Sequence, residues 1–184
     1  MKTTNRNKSR ASIIGALIVL ISFVMMNTAC DRIIVPVGGS TYQVVNLVAD
    51  TAGYSAAIID PYLKNAWGIA ISPSGKIWIS ANHTGSTVIY DYNGNTVLAP
   101  VNIPLGAEPN GASPTGVVFN STTGFIIPGK GKSAFIYATE DGIITAWNGS
   151  TGKSTMTVAD MSSGGAVYKG ELACGMKLEL ILEI

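Results

Sequence analysis

His83 is the single histidine of this chain. A metal site built from several histidines is therefore excluded, and so is a Ser-His-Asp arrangement with a choice of bases. Cysteine is almost as scarce: Cys30 and Cys174 are the only two, too few for a disulfide framework. Charge is sparse as well, at 12% of residues. Of the twelve Lys and Arg, four (Lys2, Arg6, Lys8 and Arg10) precede residue 11, which leaves eight against eleven Asp and Glu. Beyond residue 10 there is no basic cluster, so nucleic acid is not expected as a partner. No apolar run reaches the roughly 20 residues that a membrane-spanning helix needs; the longest, residues 11–26, has 16. Between residues 45 and 170 no segment sustains a 3.6-residue period, which argues against a helical domain.

What the N-terminus does hold is an export pattern. The four basic residues lead into "ASIIGALIVLISFVMM", and "NTAC" follows at 27–30. A basic stretch, a short apolar run and small residues before a cut describe a signal peptide. "NTAC" resembles the lipobox of bacterial lipoproteins, with cleavage between Ala29 and Cys30 and acyl chains carried by Cys30. Asn27 departs from it, standing where Leu is typical. Residues 1–29 are thus expected to be a lipoprotein signal peptide with a signal helix. Residues 30–44 are expected to be a lipidated tether, loosened at Gly38, Gly39 and Ser40. The expected place is the bacterial cell envelope, with the membrane engaged through lipid on Cys30.

From residue 45 onward the apolar runs are short and bounded by turn residues. "KIWIS" and "STVIYDY" alternate, so Ile77 and Ile79 share one strand face and Trp78 the other. Ser-Pro-Ser-Gly at 72–75, Asn-Gly at 93–94 and Asp-Gly at 141–142 are hairpin signals. The fold class is all-β. "GIAISPSGKIWIS" at 68–80 returns in looser form as "TGVVFNSTTGFII" at 115–127. Gly68, Gly116 and Gly170 head the successive statements, at the spacing of propeller blades of about 40–50 residues. A glycine there suits inner strands that crowd one another. The expectation is a partial β-propeller over residues 45–170, about two four-stranded blades plus the start of a third; the alternative is a two-sheet sandwich. "GIAIS" and "GVVFN" would be inner strands, "KIWIS" and "GFII" second, "STVIYDY" and "AFIYAT" third, "TVLAPVNI" and "IITAWN" outer.

The stretch from "NLVADTAGYSAAIIDPYLKNAWGIAISPSGKIWISANHTGSTVIYDYNG" through "SPTGVVFNSTTGFII", "FIYATEDGIITAWN" and "GAVYKG" resembles an uncharacterised family of bacterial exported proteins. The resemblance covers about residues 44–170. It implies a propeller-like fold in the style of NHL-type and gluconolactonase-type repeats, and it brings no known activity with it. Residues 171–184, "ELACGMKLELILEI", depart from the family's pattern, and the expected reading is a truncated or frame-shifted end.

The chemistry-bearing residues are few. Gluconolactonase-like propellers hold a divalent cation with Glu, Asn and Asp, and the counterparts here are Asn65, Asn82 and Glu140. Asn82, Glu140 and Asp141 are the binding candidates, although Asp141-Gly142 is also a ready turn. "PGKGKS" at 128–133 lacks the spacing of a phosphate loop. Trp67, Trp78 and Trp147 could line a sugar site, but strand aromatics are more often core. No catalytic set and no cofactor are expected. The functional expectation is a non-catalytic binding or scaffolding module that self-associates through exposed blade faces. The alternatives are a metal-dependent lactonase-like hydrolase and a non-functional gene product.

Overall fold

Turn chemistry sets where each strand stops. Gly75 adopts φ 76° and closes its turn by donating its N–H to the Ser72 carbonyl at 2.9 Å. Asp91 accepts from the amides of Asn93 and Asn95 at 2.8 and 2.9 Å, fixing the next reversal. The computed structural model describes residues 43–105, 111–174 and 177–182. The expected signal helix, its cleavage point at Ala29 and Cys30, and most of the tether lie outside the described residues.

The described residues are all-β, with only short 3-10 turns between strands. A two-stranded parallel pair, β1 (Val48–Ala49) and β2 (Ile58–Ile59), comes first. Sheet 1 follows as an antiparallel meander: β3 (Ala66–Ile71), β4 (Ile77–Ala81), β5 (Ser86–Tyr90) and β6 (Thr96–Asn102), neighbours in that order. Next come β7 (Pro114–Phe119), the small hairpin β8 (Ile126–Ile127) and β9 (Gly131–Lys132), then β10 (Phe135–Thr139), β11 (Ile143–Trp147) and β12 (Met156–Asp160). Sheet 2 runs β7-β10-β11-β12, again antiparallel. The antiparallel pair β13 (Tyr168–Cys174) and β14 (Lys177–Leu182) completes the described strands. None of these sheets closes on itself.

One strand assignment needs correcting. "GFII" is not the second strand of sheet 2; "AFIYAT" takes that place, "IITAW" is third and "MTVAD" is the outer strand. The reason is local. The Asn120 side chain donates to the carbonyls of Gly124 and Ser133 at 3.0 and 3.1 Å, pinching the chain into a loop that expels the β8–β9 hairpin. Phe135 rather than Ile126 then pairs with Phe119.

With that register the repeat becomes residue-by-residue. Ile69 pairs with Ile79 and Ile71 with Ile77 in sheet 1, as Val117 pairs with Tyr137 and Phe119 with Phe135 in sheet 2. The two sheets share a core. Trp78, Ile89 and Val101 of sheet 1 meet Val117, Phe135 and Tyr137 of sheet 2. Trp78 stacks on Phe135 at 4.0 Å between ring centroids and tilts against Trp147 at 4.7 Å. Burial of each such side chain stabilises by about 1.5–3 kcal/mol. A second cluster, Ile136, Ala138, Ile144 and Tyr168, forms where the far face of sheet 2 meets β13.

The glycines explain how closely the inner strands approach. A Cβ on Gly68 would lie 2.7 Å from the Val117 amide nitrogen and 2.8 Å from the Thr115 carbonyl oxygen. A Cβ on Gly116 would lie 2.9 Å from the Glu171 nitrogen. Thus β3 abuts β7 and β7 abuts β13 through the same repeat position. Two hydroxyls tie the steps together: Ser80 donates to the Gly116 carbonyl at 2.9 Å, and Thr115 to the Tyr168 carbonyl at 2.8 Å.

Candidate functional site

Asn82 and Glu140 each follow a second strand, β4 and β10, at the same repeat position. Their backbones are held alike: the Asn82 amide donates to the Asn65 carbonyl at 3.1 Å, and the Glu140 amide to the Ser113 carbonyl at 2.9 Å. Asn65 adopts φ 51°, a left-handed conformation that Asn tolerates and that turns the chain into β3. The stacking of the sheets therefore brings these residues to one end of the assembly in a file.

The side chains along that file are linked. Asn65 Nδ2 donates to Asn82 Oδ1 at 3.2 Å. Asn82 Nδ2 donates to Glu140 Oε2 at 2.9 Å and to the Pro114 carbonyl at 3.4 Å. Lys169, at the start of β13, pairs with Glu140 Oε1 at 2.5 Å and lies 5.7 Å from the Trp67 ring centroid. The hydrogen bond from Lys169, followed by that from Asn82, holds the Glu140 carboxyl below its ordinary range. Glu140 is thus a fixed anion engaged on both oxygens.

This donor set does not fit a cation site of the lactonase type. Asn82 turns N–H groups toward Glu140, and the Lys169 ammonium already stands on the other carboxylate oxygen. Among the described residues no three His, Cys, Asp or Glu gather as a cation shell. Asp141, beside Glu140 in sequence, does not join the file: it accepts from the Ser113 amide at 2.5 Å and heads the turn at Gly142, which has φ 74°. His83 is exposed in a 3-10 turn, Asn82–Thr84. Of the three tryptophans, Trp78 is core at 5% exposure, Trp147 is half-buried against it, and Trp67 stays 44% exposed beside the file. "PGKGKS" forms the tip and return strand of the β8–β9 hairpin.

Lys169 and Glu171 are the functional-looking residues that sequence reasoning passed over. Glu171 stands on β13 at the repeat position of Ile69 and Val117. Both its carboxylate oxygens are sealed from solvent without a hydrogen-bond partner, while the rest of the residue is partly exposed. The amides of Val118 and Ala138 are near enough to ease the charge, but burial outweighs them and pushes the carboxyl well above the usual range. The signal was available in "YKGELA", where the residue after the repeat glycine changes from apolar to acidic.

No family model matches the chain. The chain is similar to two uncharacterized proteins of Acanthamoeba polyphaga mimivirus. It is 37% identical to one over 83 residues, 45% of this chain and 22% of that protein. It is 30% identical to the other over 112 residues, 59% of this chain and 27% of that protein. The matched part thus spans roughly a quarter of the length of these relatives. The expected membership of a bacterial exported family is overturned by this: the relatives are viral, and no bacterial family is indicated. Repeat glycines, Asn-Gly turns and alternating apolar residues are what stacked β-meanders require in general, so they carry architecture and not lineage.

Proposed function

We propose that sheets 1 and 2 and the β13–β14 pair are successive blades of a β-propeller that acts as a non-catalytic binding or scaffolding module, exported and held at a membrane by lipid on Cys30. The observation that carries this reading is the twice-repeated inner-strand contact at Gly68 and Gly116, which stacks the sheets in one direction and aligns their strand ends. Stacked blades present loop surfaces at one end, and here that end holds Trp67, Asn65, Asn82, Glu140 and Lys169. A carboxylate already ion-paired and hydrogen-bonded suits positioning and recognition better than proton transfer. Anchoring rests on the basic start, the 11–26 apolar run and "NTAC"; among the described residues no helix is long and apolar enough to cross a membrane.

The metal-dependent hydrolase reading has one observation in its favour, the convergence of Asn65, Asn82 and Glu140. The experiment that separates the two is a hydrolysis assay on lactones and esters, with and without calcium, zinc or manganese. Background rates are expected throughout. Turnover that disappears in Glu140→Ala would establish the hydrolase instead. For the anchor, a clickable fatty acid fed to expressing cells should label the protein, and Cys30→Ala should abolish the label; an unlabelled wild-type protein removes the anchor from the proposal.

A further inference from the structure

We infer that the face of sheet 1 bearing Ile69, Ile71, Ile77 and Ile79 is the docking face for a second copy of this chain, which presents the far side of its own β13–β14 pair to it, head to tail. The inference rests on reading the sheets as stacked repeats, and it adds the partner and the surfaces.

The argument starts from register. Ile69, Ile71, Ile77 and Ile79 occupy the repeat positions of Val117, Phe119, Phe135 and Tyr137. Those four sheet 2 residues lie in or against the core shared with sheet 1. Their sheet 1 counterparts are covered only in part: Ile69 is 63% and Ile71 52% exposed, while Ile77 and Ile79 are half-buried near the β1–β2 pair. Ile69, Ile77 and Ile79 border an open cavity of about 320 Å³ lined also by Leu47, Val48, Leu63 and Tyr90. Four apolar side chains repeat in position between two sheets of one chain, and in sheet 1 two of them, Ile69 and Ile71, stay exposed, which describes an interface only partly covered.

The missing cover is identified by the contacts that the chain makes with itself. Each step of the stack sets the glycine of one inner strand against the next inner strand, Gly68 on β7 and Gly116 on β13. Gly170 holds the same repeat position on β13, whose side away from β7 has no further inner strand among the described residues. Among the described residues, the strand that lacks an inner-strand neighbour on its receiving side is β3. These two ends have sheet 2 between them, so one copy cannot join its own; two copies can. The contact uses different patches on the two partners, so it either closes into a ring or propagates as a chain of copies.

The test is the mass of the full-length chain by sedimentation equilibrium in density-matched detergent. Wild type is expected at twice the chain mass or more at micromolar concentration, and Ile69→Lys at the monomer mass. Near-UV circular dichroism from the Trp78–Phe135 stack serves as the check that the variant is folded. Ile126→Lys, on the β8–β9 hairpin and 59% exposed, is the control and should keep the wild-type mass. If Ile69→Lys fails to fold, hydrogen exchange on wild type decides: amides of β3 should lose protection on dilution. A monomeric wild type overturns the inference, and so does dissociation by Ile126→Lys as well, which would mean unspecific association. A monomer with β3 protected at every dilution also overturns it, because a segment of the same chain would then cover the face. None of these outcomes touches the hydrolysis assay, so the proposed function stands or falls separately.

Discussion

Glu171 is the residue most at odds with its surroundings. It occupies a slot that holds Ile69 and Val117 in the other repeats, and its carboxylate oxygens are buried without partners. An unmet buried polar group costs about 1–3 kcal/mol, so Glu171→Val should raise stability by about that amount at neutral pH in urea unfolding. The pH dependence follows from the direction of the shift. The folded state keeps the proton to a higher pH than the unfolded chain, whose Glu titrates near pKa ~4.3. Between those two values the native state binds more protons, so wild-type stability falls as pH rises through the window. The advantage of Glu171→Val should therefore grow from pH 5 toward pH 8; an advantage equal at both would contradict the burial of the charge. Glu140 runs the other way. Its lowered pKa gives stability that is present above the ordinary carboxylate range and lost as pH falls through the depressed value. The pair with Lys169 is about 30% exposed on both sides, so it is worth only about 0–1 kcal/mol. Asn82 is buried and bonds Asn65, Pro114 and Glu140. Asn82→Ala should consequently destabilise by more, about 1–3 kcal/mol, and a denaturant series in which Lys169→Ala is the worse variant would reverse that ranking.

At the scale of the elements, the inner strands are held apart by nothing more than hydrogen at Gly68 and Gly116. An added methyl at Gly68 meets backbone atoms under 3.0 Å away, which cannot move without shifting β7. Gly68→Ala is expected to cost about 1–3 kcal/mol, the range for overpacking, whereas Gly164→Ala, with nothing within 4 Å, should stay within about 0.5 kcal/mol. Equal midpoints in thermal unfolding would mean that the strands are not in contact. The sequence showed these glycines as repeat markers and supplied the reason, close approach, before any coordinates. It did not show which segment is the second strand of sheet 2. "GFII" and "AFIYAT" are both apolar runs of strand type, and the choice between them is made by Asn120 side-chain bonds to Gly124 and Ser133, which local pattern does not encode.

For the molecule as a whole, association through the sheet 1 face would link stability to concentration, because a partner that binds only the folded state stabilises it by mass action. The melting temperature of wild type should climb with protein concentration, and that of Ile69→Lys should not; a wild-type midpoint independent of concentration would speak against the docked face. What the sequence determined by itself was the β-class, the hairpin turns, the repeat and the pairing of a small inner-strand residue with close packing. These are written in period-two alternation and in residues such as Gly75 and Asp91 whose backbone preferences act locally. Only the tertiary structure decided which faces are sealed. Val117 and Phe119 look as bare as Ile69 and Ile71 when read along the chain, yet the first two lie at a shared core and the last two do not. Only the stacking joined Asn65, Asn82, Glu140 and Lys169, whose ends are more than a hundred residues apart, into one hydrogen-bonded file. A strand's alternation tells which residues share a face, but what that face meets depends on contacts between distant segments, and those form only when the sheets pack.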